Sequence, residues 1–90
     1  MSSITFFIGI DIAKDRFACS VLLKPEKKPP KHSEFSNDIP GFEHAEAWFL
    51  EQGITAANSI ICLEATGVYG EQLCYWFTAK EYRVALEPPL

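Results

Sequence analysis

From Ile4 to Asp11 the chain alternates, with Ile4, Phe6, Ile8 and Ile10 on one face and Thr5, Phe7, Gly9 and Asp11 on the other. A period of two is that of a β-strand, and this strand closes on a carboxylate. The combination returns at Ser59 to Leu63, a short apolar run that ends at Glu64. Strands this short are not stable alone or in pairs. The intervening chain must therefore supply both the rest of a sheet and a layer to cover it.

Arg16 to Leu23 places Phe17, Cys19, Val21 and Leu23 on one side. It predicts a second strand that returns antiparallel after a tight connection over Ile12, Ala13, Lys14 and Asp15. Lys24 to Lys31 holds Pro25, Pro29 and Pro30 among four lysines and reads as a loop, because proline cannot donate to a ladder. His32 to Ser36 is a short third strand. Asn37 and Asp38 then offer an N-cap for a helix whose first turn tolerates Pro40 and which runs to about Gln52. In it Phe42, Ala45, Trp48 and Phe49 recur at spacings of three and four, and Gly53 is a C-terminal stop.

Ser59 to Leu63 reads as a strand buried on both faces. Val68 to Ala79 reads as a second helix with Leu73, Trp76 and Phe77 turned inward, and Arg83 to Leu86 as a last strand before Pro88 and Pro89. The order is three strands, helix, strand, helix, strand. That is an α/β chain: an antiparallel meander followed by parallel strands with right-handed crossover helices, in one mixed sheet.

Ninety residues make one domain with a modest core. A composition 48% hydrophobic and 13% aromatic excludes a disordered or low-complexity chain. The net charge of −4 and pI near 5.0 argue against tracking a nucleic-acid backbone by electrostatics alone, so DNA affinity needs a cation or further chain. Cys19, Cys62 and Cys74 have neither zinc-site nor thiol-exchange spacing and are expected as partly buried reduced thiols. No signal peptide or apolar stretch of about 20 residues is visible. The expected location is the cytoplasm, without a membrane partner.

Asp11 ends the first strand and Glu64 the fourth. Neighbouring strands lie about 4.8 Å apart, so their carboxylates can meet. Phosphodiester cleavage with Mg²⁺ or Mn²⁺ requires such a cluster, which holds the metal against the attacking and leaving oxygens.

Two motifs, Gly9-Ile10-Asp11-Ile12-Ala13-Lys14 and Glu64-Ala65-Thr66-Gly67-Val68-Tyr69-Gly70, resemble those of DEDD-type insertion-sequence transposases of the IS110 group. The resemblance covers nearly the whole chain. It implies an RNase H-like fold similar to the RuvC resolvase, in which Asp11 and Glu64 match the first two members of the family's acidic tetrad as catalytic and metal-binding residues. It further implies DNA and a structured guide RNA as partners, a homo-oligomer for the full-length protein, and a bacterial, nucleoid-associated location. The family's two later aspartates and its serine-bearing second domain lie further along than residue 90. The chain therefore reads as an N-terminal fragment, inactive alone. Glu87-Pro88 stands where the family commonly has Asn-Pro.

A glycine-hydrophobic-aspartate strand end also occurs in actin-like ATPases and sugar kinases, but Ile12 to Asp15 lacks their glycine-rich phosphate turn. A RuvC-like resolvase, which shares the fold and metal chemistry, is a further alternative. Against these stand structural roles: Asp11 as a turn residue, Thr66 and Gly67 as a turn and cap rather than a phosphate cradle, and Lys14 and the Lys24 to Lys31 group as solvated lysines rather than DNA contacts. Asp15 is expected in solvent or capping the turn, His32 and His44 on the surface, and Tyr69 and Trp76 as core or helix-edge aromatics.

Overall fold

The computed structural model describes residues 4–23, 31–64 and 68–87. Strands β1 (Phe6–Ile12), β2 (Arg16–Leu23) and β3 (Lys31–Ser36) are followed by helix α1 (Ile39–Glu51), strand β4 (Ser59–Glu64), helix α2 (Glu71–Ala79) and strand β5 (Arg83–Glu87). They form one sheet of order β3-β2-β1-β4-β5. The pairs β1–β2 and β2–β3 are antiparallel, whereas β1–β4 and β4–β5 are parallel. This is the mixed, RNase H-like arrangement expected from the sequence.

Pleat alternation divides the sheet into two unlike faces. Ile8, Ile10, Phe17, Cys19, Val21, Ile61 and Leu63 are buried and share one cluster with Phe42, Ala45 and Phe49 of α1 and Leu73 and Phe77 of α2. Both helices thus cover the same face. Ring contacts run through this layer: Phe42 lies 5.8 Å from Phe17, 5.9 Å from Trp76 and 6.4 Å from Phe77, and Phe77 lies 5.3 Å from Tyr82. Such offset aromatic contacts add to the area they bury. The Tyr82 hydroxyl donates to Glu46 Oε2 at 3.1 Å, satisfying the one polar atom of an otherwise buried ring. Burial beside the Glu46 charge pushes that phenol's pKa up.

Helix α1 starts as its cap predicts. Asp38 is extended (φ −157°), its carboxylate accepts from the Gly41 N–H at 2.9 Å, and Ser36 Oγ donates to the same oxygen at 2.6 Å. At the other end Gly53 adopts φ +77° while Ile54 N–H bonds to the Phe49 carbonyl at 2.9 Å.

Two expectations need correction. Helix α2 starts at Glu71 rather than Val68, and Val68 and Tyr69 are exposed in a turn. The cause is close packing: a Cβ on Gly70 would lie 3.1 Å from Leu63 Cδ2 and 3.8 Å from Ile12 Cδ1, so the chain crosses the ends of β1 and β4 before it coils. Strand β4 is buried on one face only. Ile61 and Leu63 are core, while Ile60 and Cys62 are half-buried on the side that no described helix covers. Most of the Lys24 to Lys31 loop lies outside the described residues, and Lys31 itself belongs to β3.

Candidate active site

The uncovered face carries the sequence's two candidate carboxylates. In the parallel β1–β4 register Ile10 stands opposite Leu63, both buried. One residue further along, Asp11 and Glu64 turn to the open face, side by side and exposed at the C-terminal ends of adjacent strands. The mouths of parallel strands are where ligands of open α/β sheets collect.

Small side chains pave the approach. Gly9, Ile10, Asp11, Ala18, Ser20 and Cys62 line one shallow depression, and Asp11 also borders a second with Ile12, Ala13, Arg16, Phe17, Ala18 and Glu34. A Cβ on Gly9 would meet nothing within 4 Å. This glycine is therefore not demanded by packing among the described residues, and it leaves the floor beside Asp11 flat.

The antiparallel registers bring one more acid into line, since Asp11 pairs with Ala18 and Ala18 with Glu34. On the other side the parallel β4–β5 register sets the backbone of Glu64 opposite that of Glu87. Glu34 was not singled out from the sequence, since only the register of β3 brings it into line with Asp11. Its carboxylate takes Arg16 Nε at 3.2 Å, an exposed pair of small energetic weight. Among the described residues no three His, Cys, Asp or Glu side chains gather as a metal site. Asp11 and Glu64 are a pair of hard oxygen donors, suited to a divalent cation that takes further ligands elsewhere.

The loops beside the pair are tied together. Ala13 N–H closes the β1–β2 turn on the Arg16 carbonyl at 2.8 Å, and Asn37 N–H reaches the Asp15 carbonyl at 2.9 Å. Lys14 is exposed on that turn. Thr66 and Gly67 lie outside the described residues. Asp15, His32 and His44 are exposed, Tyr69 is 48% exposed, and Trp76 is half-buried against Phe42 and Phe77. Of the thiols, Cys19 is fully buried and pushed up to about 12, Cys74 is raised by burial, and Cys62 borders the depression. Among the described residues no helix is long and apolar enough to cross a membrane.

Residues 8–90 match a family of transposases, the DEDD-type group of IS110. The chain is 31% identical over 85 residues to the pilin gene-inverting protein of Moraxella bovis, and equally so to that of Moraxella lacunata. Each alignment takes in 93% of this chain and 25% of the relative, so the chain spans about a quarter of those proteins' length. The match begins at the strand that carries Asp11 and runs through Glu64 to the chain's last residue, and with it the chain belongs to the IS110-type DEDD transposase family.

Proposed function

We propose that this chain is the N-terminal, RuvC-like part of a nuclease domain that cleaves and rejoins DNA during insertion-sequence transposition, with Asp11 and Glu64 as catalytic, metal-binding carboxylates. The observation that carries this reading is their adjacency on the open face at two parallel strand ends. Family membership and two relatives named for inverting a gene support it, because inversion requires DNA strands to be cut and rejoined.

The pair fits Mg²⁺, or Mn²⁺ in its place, through exposed carboxylate oxygens. When bound, such a cation supplies charge stabilisation of the phosphate and activation of the attacking oxygen. The chain's own residues do the placing. β1 and β4 hold both carboxylates on one rigid surface, Gly9 and Ala18 keep it open to a bulky substrate, and Lys14 stands ready for a backbone phosphate. Remaining carboxylates, a structured guide RNA and a second copy of the protein complete the proposal as partners of the longer protein.

The test is titration of the chain with Mg²⁺ and Mn²⁺, followed by two-dimensional NMR, for wild type, Asp11→Ala and Glu64→Ala. Shifts and paramagnetic broadening confined to the ends of β1 and β4, and lost in either variant, support the site. No response at both strand ends, or an undiminished one in the variants, sinks it. In the full-length transposase either substitution should abolish strand cleavage while the domain stays folded, since neither side chain is buried.

A further inference from the structure

Asn37 follows the last residue of β3 and lies outside both motifs. Its side-chain nitrogen donates to three backbone carbonyls: Ala13 at 3.1 Å, Lys14 at 3.3 Å and Tyr69 at 3.0 Å. An amide nitrogen carries two hydrogens, so one of them is shared. The three acceptors belong to two different loops. Ala13 and Lys14 form the turn that follows Asp11, and Tyr69 lies in the segment that follows Glu64. The backbone N–H of Asn37 adds a fourth bond, to Asp15 on the same turn.

We propose that Asn37 is a positioning residue for the carboxylate pair, its amide clasping the turn after Asp11 to the segment after Glu64 so that the two acids stay at a cation's width. The proposal rests on the reading of Asp11 and Glu64 as metal ligands. Two like charges at adjacent strand ends repel until a cation arrives, and the force acts to splay the loops that follow them. A side chain holding those loops must be a donor, because it meets only carbonyls. It must also be uncharged, because a lysine or arginine there would compete with the cation for the carboxylates. An amide meets both conditions.

Asn37 Oδ1 supports the assignment. It is buried and makes no hydrogen bond, so the residue forgoes its acceptor while its nitrogen holds both loops. The packing of Gly70 on Leu63 and Ile12 is an independent steric tie at the same junction. It explains why the second loop runs close enough for Tyr69 to be reached.

The experiment compares wild type, Asn37→Asp and Asn37→Leu by amide exchange and Mn²⁺ binding. The first variant keeps the shape and removes the donors, and the second removes the donors without adding charge. In wild type the Asn37 carboxamide protons should exchange about 10-fold more slowly than those of exposed Gln72, a result that does not depend on either variant folding. In both variants the amides of Ala13, Asn37 and Glu71 should lose about 10-fold in protection while Ile8 and Ile61 keep theirs. Mn²⁺ affinity should fall about 10-fold, as on loss of an outer-shell partner. Fast exchange of the wild-type carboxamide overturns the clasp. Loosened loops with undiminished Mn²⁺ affinity leave a structural bond only and overturn the positioning role. Absence of Mn²⁺ binding by wild type removes the metal reading itself, and the positioning role falls with it. Binding by wild type and variants alike removes this inference alone.

Discussion

Replacing Gly41 with alanine sets two physical rules against each other. Gly41 sits in the first turn of α1, where helix propensity alone favours alanine by up to about 1 kcal/mol. Its Cβ, however, would stand 1.7 Å from the Ser36 carbonyl oxygen, 2.6 Å from the Ser36 carbonyl carbon and 2.6 Å from Ser36 Oγ. An ordinary carbon–oxygen contact is about 3.3 Å, so the helix start and the end of β3 must separate by roughly 1.5 Å. The hydroxyl can rotate away, but the carbonyl belongs to the residue paired with Arg16 in β2. Separation also pulls Gly41 N–H from the Asp38 carboxylate and lifts the fully buried Phe42 from Phe17. Overpacking of this kind costs about 1–3 kcal/mol and the lost cap about 1 kcal/mol. After the propensity offset the expected loss is about 2 kcal/mol. For a domain of this size that lowers Tm by roughly 8–16 °C. Urea unfolding followed by the fluorescence of Trp48 and Trp76 measures it. Gly9→Ala, with nothing within 4 Å, and Gly53→Ala, at φ +77°, are the controls. The first should be neutral or stabilising by about 0.5 kcal/mol and the second destabilising by about 1 kcal/mol. A Gly41→Ala protein as stable as wild type would refute the packing argument.

Three further outcomes are expected. Glu81 closes α2 at φ +71°, with Glu81 N–H to Thr78 and Tyr82 N–H to Phe77, the conformation that Gly53 adopts after α1; Glu81→Gly should raise stability by about 0.5–1 kcal/mol in thermal unfolding, and a loss would contradict it. The Ser36 hydroxyl, and after it the Gly41 N–H, hold the Asp38 carboxyl below its ordinary value. A depressed folded pKa gives stability that is present above the unfolded value near 4 and lost as pH falls through the folded one, so wild type should lose ground against Asp38→Asn only below about pH 4 in acid titration by circular dichroism. The buried Cys19 thiol, pushed up to about 12, should stay unreactive toward a disulfide reagent at pH 8 until the domain unfolds; labelling at the rate of an exposed thiol would show that the sheet opens there.

What could be read in advance followed from period and capping. β2 has its expected bounds and α1 begins right after its Asp38 cap, because alternation and an N-cap are local signals. The start of α2 was not legible, since the turn at Val68 to Gly70 is set by contact of Gly70 with two other strands, a relation between residues far apart in sequence. The end of α2 carries no glycine to announce it. Asp11 and Glu64 stood out because each closes an apolar run, whereas Glu34 and Asn37 acquire their places only from the β2–β3 register and from loop contacts. Asparagine near a helix start has an ordinary explanation as a cap, and here the neighbouring Asp38 takes that role.

The division of the sheet into two faces bears on how the candidate site can change without the fold. Every strand side chain in the core cluster points toward α1 and α2, so the ring contacts and apolar burial that stabilise the domain lie on one side. The opposite side holds Gly9, Asp11, Ala18, Ser20, Cys62 and Glu64, which are exposed or half-buried. Removing a carboxylate there deletes no core contact, and it relieves repulsion across a row in which Glu34, Asp11 and Glu64 share one face. In a chain whose net charge is already −4, that row repels a DNA phosphate and attracts a divalent cation, the cation about twice as strongly at equal distance. Under the proposed function, cation binding therefore accompanies or precedes any close approach of DNA to this face, and a substitution of Asp11 or Glu64 should separate stability, which it spares, from DNA processing by the longer protein, which it removes.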